Sequence, residues 1–152
     1  MYQQFRILVA DDSEDDVVLL KRAFLRAGID AAIEFVSDGQ DAVDYLGGRA
    51  PFDDRQRFPL PKLMMLDVKM PGVDGFDVLE WLRRQPGLRG LPVIMWSSSE
   101  QQEDVNRAYA LGANSYLAKP TQTDRFEEMV KAIELYWMKT SALPEVTALA
   151  RA

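Results

Sequence analysis

The feature that most constrains this chain is an alternation. Short apolar runs at Ile7–Ala10, Ala32–Val36, Leu63–Leu66, Pro92–Trp96 and Tyr116–Ala118 are each followed by a stretch with apolar residues at helical spacing. Runs that are apolar on successive residues suit strands buried on both faces, as in a parallel sheet. After the first run, Ser13 is a candidate helix cap, Val17, Leu20, Phe24 and Ala27 form one stripe, and Gly28 stops the helix. Ser37-Asp38-Gly39 opens a helix with Ala42, Val43 and Leu46, and Phe76, Val78, Leu79 and Leu82 make the next. Val105, Ala108 and Leu111 mark a fourth that ends at Gly112, and the last spans about Thr123 to about Thr140. Strand then helix, five times, predicts an α/β, doubly wound, five-stranded parallel sheet with helices on both faces.

Composition narrows the chemistry. The 152 residues suit one domain, and 47% hydrophobic content marks a globular chain. A formal charge of −6, from 18 basic and 24 acidic residues, argues against a nucleic-acid partner. Cysteine and histidine are both absent, which excludes disulfides, thiolate catalysis, Cys- or His-based zinc sites and Ser-His-Asp triads. Any metal must then be held by oxygen, which selects Mg²⁺, Ca²⁺ or Mn²⁺. There is no signal-peptide pattern and no apolar stretch near the ~20 residues of a membrane span, so the expected location is cytoplasmic, with no membrane partner.

In open parallel sheets, ligands bind outside the carboxyl ends of the strands. Those ends carry Asp11 and Asp12, Asp67, Ser97 and Lys119. Crowded carboxylates raise one another's pKa, and a divalent cation relieves the repulsion. Mg²⁺ takes one or two carboxylates with a carbonyl and waters, leaving room for phosphate oxygens. A hydroxyl and an ammonium beside it would bind phosphoryl oxygens, and Asp67 would be the nucleophile that forms an acyl phosphate. Taken singly, the acids could be helix caps, Ser97 a loop hydroxyl and Lys119 a solvated surface lysine. Four such coincidences at one sheet edge make the weaker account. A haloacid-dehalogenase-type phosphatase needs a second Asp two residues after the nucleophile, whereas Val68-Lys69 follows Asp67. A flavodoxin-like flavin binder needs a Ser/Thr/Gly phosphate loop where Asp11-Asp12-Ser13-Glu14 stands.

Asp11-Asp12, Leu66-Asp67-Val68-Lys69-Met70-Pro71 with Asp74-Gly75, Ser97, and Lys119-Pro120 together resemble the receiver domain of two-component response regulators, over about residues 5–140. The resemblance implies a flavodoxin-like (CheY-like) sheet of strand order 2-1-3-4-5, with residues 141–152 as a C-terminal tail. It implies Asp67 as phosphoacceptor from a histidine kinase, and Mg²⁺ held by Asp12, Asp67 and the Lys69 carbonyl, with Asp11 acting through water. Lys119 would pair with the phosphoryl group, Ser97 would be the switch hydroxyl and Tyr116 the switch aromatic, and the Lys119-Pro120 peptide would be cis. Such a protein is a signalling phosphoacceptor, not an enzyme in the usual sense; it catalyses its own phosphotransfer and slow autodephosphorylation. A pseudo-receiver that never takes phosphate is disfavoured by the intact acceptor, acids, hydroxyl and lysine.

Two departures stand out. The stretch from about Gly48 to Pro61 is long for its position, and resembles an insertion found in stand-alone regulators of phytochrome-type kinases. Lys69, two residues past the acceptor, cannot orient water as an amide or acid would, which bears on phosphate lifetime. No DNA-binding domain is expected after Thr140, so output would pass to a downstream protein partner. The last helix carries Phe126, Val130, Ile133 and Trp137 as a core stripe, with Met129, Leu135, Tyr136 and Met138 partly outside it. That surplus suggests a homodimer or partner face on the last helix.

Overall fold

A computed structural model describes residues 3–149. The apolar runs form strands β1 (Phe5–Ala10), β2 (Ala31–Val36), β3 (Leu63–Leu66), β4 (Val93–Ser97) and β5 (Ser115–Ala118). All pair in parallel, in the order β2-β1-β3-β4-β5. Between them lie helices α1 (Glu14–Arg26), α2 (Gly39–Gly47), α3 (Gly75–Arg83), α4 (Gln102–Ala110) and α5 (Thr123–Ile133). The side chains of β1, β3 and β4 alternate between two cores. Leu8, Met64, Leu66, Val93 and Met95 meet the α2–α3–α4 layer, while Ile7, Val9, Leu63, Met65, Ile94 and Trp96 meet the α1–α5 layer. The absence of polar alternation in these runs thus has a direct cause: neither face of the central strands sees water.

Helix starts are fixed by short polar side chains. Ser13, Asp38 and Asp74 each accept a hydrogen bond from the backbone N–H three residues on, and Asp74 with Asp77 completes a reciprocal capping box. Strands β1, β2 and β5 begin one or two residues before their apolar runs, β3 matches its run, and β4 is displaced by one residue to end at Ser97.

The last helix differs from expectation. Its α-helical part ends at Ile133, and a π-helical turn follows over Glu134–Met138. The wider turn shifts the phase of the remaining side chains. Trp137 and Met138 pack against the α1–α5 layer along with Met129, while Leu135 and Tyr136 remain 65% and 54% exposed. The Lys119-Pro120 peptide is not cis either; the cis peptide among the described residues is Ala50-Pro51. Lys119-Pro120 takes the trans form, the lower-energy isomer for most X-Pro bonds.

The long connection before β3 is folded. The Arg55 guanidinium donates to the carbonyls of Tyr45, Leu46 and Phe58, satisfying the open carboxyl end of α2. The Tyr45, Phe52 and Phe58 rings pack with centroids 5.2–5.9 Å apart, and the Tyr45 hydroxyl donates to the Pro59 carbonyl at 2.8 Å. Burial pushes the Tyr45 phenol up to about 12. Beyond α5 the chain crosses to the opposite layer. The Thr147 N–H donates to the Gly87 carbonyl at 2.8 Å, and Val146 and Leu149 pack on the α2–α3–α4 core. Residues 150–152 of the expected tail lie outside the described residues.

Candidate functional site

Backbone ladders bring the polar strand ends together. The Asp67 N–H donates to the Ala10 carbonyl at 2.9 Å, the Asp11 N–H to Val36 at 3.1 Å, and the Lys119 N–H to Ser97 at 2.7 Å. Each bond carries the sheet one residue past a strand and fixes where the next side chain departs. Among the described residues the buried polar or charged side chains are Asp11, Asp67 and Ser97, all at this one edge. Placing three such groups under an apolar sheet edge is costly unless they are paired or bind something.

The Lys119 ammonium partly compensates. It lies 2.9 Å from Asp11 Oδ2, 2.9 Å from Asp16 Oδ2 and 3.4 Å from Asp67 Oδ2. It also stands over the buried Trp96 ring, 5.0 Å from the centroid. The contact with Asp11 is an ion pair but not an aligned hydrogen bond, so that buried oxygen keeps a free lone pair. The other Asp11 oxygen accepts from the Ser13 N–H at 2.9 Å.

Electrostatics differ sharply within this cluster. Burial, and then the Asp11 charge, push the Asp67 carboxyl up to about 7, although Lys119 pulls the other way. Burial alone would lower the Lys119 ammonium; its contacts with Asp11 and Asp16 and the charges of Asp67 and Asp11 outweigh that and hold it above the ordinary lysine value. One cation therefore serves three carboxylates, and Asp67 stands farthest from it.

A carboxylate oxygen from each of Asp11, Asp12 and Asp67 falls within 4.8 Å of the others. The donors are all hard oxygens, Asp12 is exposed to solvent, and Asp11 offers its unaligned oxygen. This set fits a divalent cation such as Mg²⁺, which takes a few carboxylates and keeps waters. Lys69 is exposed, so its ammonium is not drawn into the cluster.

On the neighbouring strand, the buried Ser97 hydroxyl oxygen accepts from the Ser99 N–H at 3.1 Å. Ser99 Oγ donates to Asp104 in the first turn of α4 at 2.6 Å, and the half-buried Tyr116 donates its hydroxyl to the Ser99 carbonyl at 2.9 Å. The loop after β4 thus links Ser97, α4 and β5. On the other side, the loop after β3 is pressed between two glycines. A first side-chain carbon at Gly75 would collide with the Asp67 carbonyl oxygen, and one at Gly39 with the Val73 carbonyl.

A family model for the response regulator receiver domain matches residues 7–131. The chain belongs to this family. The receiver is 36% identical over 145 residues to the protein named "Probable methanogenesis regulatory protein FilR2" from Methanothrix harundinacea, covering 92% of this chain and 88% of that one. Among solved structures it resembles response regulator RPA3017, described in red light signalling of R. palustris, with a TM-score of 0.89, 39% identity and coverage of 93% and 99%. It also resembles the phosphorylated cyanobacterial phytochrome response regulator RcpA, with a TM-score of 0.86, 28% identity and coverage of 94% and 100%. The strand order and the resemblance to a phytochrome response regulator agree with the expectation from sequence. No helix among the described residues is long and apolar enough to cross a membrane.

Asp11, Asp12, Asp67 and Lys119 of the receiver converge as the strand-end argument requires, while Ser97 and Tyr116 meet through the loop after β4. Sequence reasoning did not single out Asp16, Trp96, Ser99 or Asp104. Asp16 was hidden in the run Asp11-Asp12-Ser13-Glu14-Asp15-Asp16, whose acids differ in role through their side of the Ser13 cap and, within α1, through helix phase. Trp96 reads as any core aromatic.

Proposed function

We propose that this receiver accepts a phosphoryl group from a histidine kinase onto Asp67 in a Mg²⁺-dependent reaction and passes the signal to a protein partner by a conformational switch. The observation that carries the reading is the buried Asp67 carboxylate, 3.4 Å from the Lys119 ammonium and grouped with two further carboxylates. An Asp67 oxygen attacks phosphorus in line, the bond from phosphorus to the imidazole nitrogen breaks, and the freed imidazole takes a proton from solvent. Asp11, Asp12 and Asp67 would hold Mg²⁺, with the Lys69 carbonyl. Bound Mg²⁺ supplies positive charge that keeps these carboxylates ionised and offsets charge on the phosphoryl oxygens. Lys119 meets the phosphoryl group from the side of α1.

The new phosphoryl oxygens attract the Ser97 hydroxyl and compete with its contact to the Ser99 N–H. Motion there reaches Tyr116 through the Ser99 carbonyl and biases a two-state equilibrium. Output then leaves by α4, β5 and α5, where Leu135 and Tyr136 expose apolar area suited to a homodimer or partner face. The likeness to a phytochrome response regulator, RcpA, and to a regulator of red light signalling, RPA3017, supports a phytochrome-type kinase as donor. Lys69 offers no side-chain acceptor to orient water, which bears on how long the phosphoryl group stays on Asp67. The test is intact mass after incubation with Mg²⁺ and a small phosphodonor. Wild type gains one phosphoryl group and Asp67→Asn gains none; equal labelling of both removes Asp67 as acceptor.

A further inference from the structure

Lys119 has more anions around it than phosphoryl binding needs. Its Nζ touches Asp11, Asp16 and Asp67, but only Asp11 and Asp67 belong to the carboxylate group that can share a cation. Asp16 stands outside that group. It is the third residue of α1, and its backbone N–H is pinned to Ser13 Oγ. Helical side chains lean toward the N-terminus, so Asp16 reaches back over the strand-end loop to Lys119, 103 residues away in sequence. The hydrogen bond is 2.9 Å long. On another side of the ammonium lies the face of Trp96, which is fully buried and fixed edge-on against Phe126.

An ammonium has three hydrogens to place. Once a cation engages Asp11 and Asp67, and once Asp67 carries a phosphoryl group, two of Lys119's three carboxylate partners are committed elsewhere. Asp16 is the partner that stays. We propose that Asp16 is a positioning residue: with the Trp96 ring, it holds Lys119 so that the remaining N–H bonds point across the mouth of the site at the phosphoryl oxygens on Asp67. The proposal rests on the acceptor reading above.

A double-mutant cycle tests it. Phosphorylation of wild type, Asp16→Ala, Lys119→Met and the double variant is followed by intact mass, with Mg²⁺ and acetyl phosphate as donor. Asp16→Ala slows labelling about tenfold, the worth of one charge-assisted hydrogen bond. In the Lys119→Met background the same change has an effect within about twofold, because its target is gone. An equal loss in both backgrounds, or no loss in wild type, overturns the proposal. So does a fall in Mg²⁺ affinity of Asp16→Ala as large as the fall in rate, since Asp16 would then act through the metal. Failure of wild type to label at all would bring down the acceptor reading, and this proposal with it.

Discussion

Tyr116 donates its hydroxyl to the backbone carbonyl of Ser99, 2.9 Å away, tying a half-buried ring on β5 to the loop that leaves β4. Ser99 is at the same time bonded to Asp104 of α4 and, through its N–H, to Ser97. Tyr116→Phe should therefore leave labelling of Asp67 within about twofold while shrinking the phosphorylation-dependent amide shifts of α4 and β5. Removing one such bond also costs about 1 kcal/mol of stability. Full-sized shifts in the variant, measured by two-dimensional NMR, would break the proposed route.

Proton linkage at Asp67 gives a second expectation. Its carboxyl is raised from the ordinary 3.8 to about 7, so between those pH values the folded protein holds a proton that the unfolded chain has lost. Stability in the presence of a chelator should then fall as pH rises across that window. Asp67→Asn should flatten this part of the profile and raise the thermal midpoint near neutrality. Mg²⁺ binding favours the ionised form, so its affinity should weaken as pH drops below about 7. Urea titrations of both proteins from pH 4 to pH 8 measure the difference.

For the metal, Asp12 and Asp11 should behave unequally. Asp12 is exposed and free to bind directly, whereas Asp11 is buried and already bonded to the Ser13 N–H and paired with Lys119. Asp12→Ala should weaken Mg²⁺ binding by at least about tenfold and Asp11→Ala by less. Calorimetric titration that returns the reverse order would redraw the site.

The strand-end residues were legible in the sequence because a parallel sheet leaves them no alternative. Asp11, Asp67 and Lys119 each follow a strand, and the ladder bonds that continue past the strands gather them at one edge. Asp16 was not legible, because its reach depends on the cap at Ser13 and on the lean of a helical side chain. Nor was the insertion: an arginine amid prolines gives no sign that it will close the end of α2. The turn at Glu134–Met138 escaped for a related reason, since a constant helical period cannot register one widened turn.

Arg55→Ala tests the reading of the insertion. It removes three hydrogen bonds to carbonyls and exposes the Tyr45–Phe52–Phe58 cluster to looser packing. A loss of about 2–3 kcal/mol is expected, with labelling of Asp67 unchanged. A thermal midpoint equal to wild type would mean that the segment is not held by this side chain.

Gly75→Ala should be among the most damaging single methyl additions. The new carbon meets the Asp67 carbonyl, a backbone atom that cannot swing aside. Overpacking of this kind costs about 1–3 kcal/mol, and here the displaced atom belongs to Asp67, the proposed acceptor. Both stability and labelling rate should fall; an unaltered rate would imply that α3 shifts instead.

The two glycine contacts also give the site a sense of direction. With Gly75 against Asp67 and Gly39 against Val73, the segment leaving β3 has backbone packed on backbone and no slack to take up. The segment leaving β4 is held by side-chain hydroxyls that can exchange partners. Asp67 is therefore bordered by close-packed backbone toward α2 and α3, and by hydroxyl contacts that leave room for rearrangement toward α4 and β5.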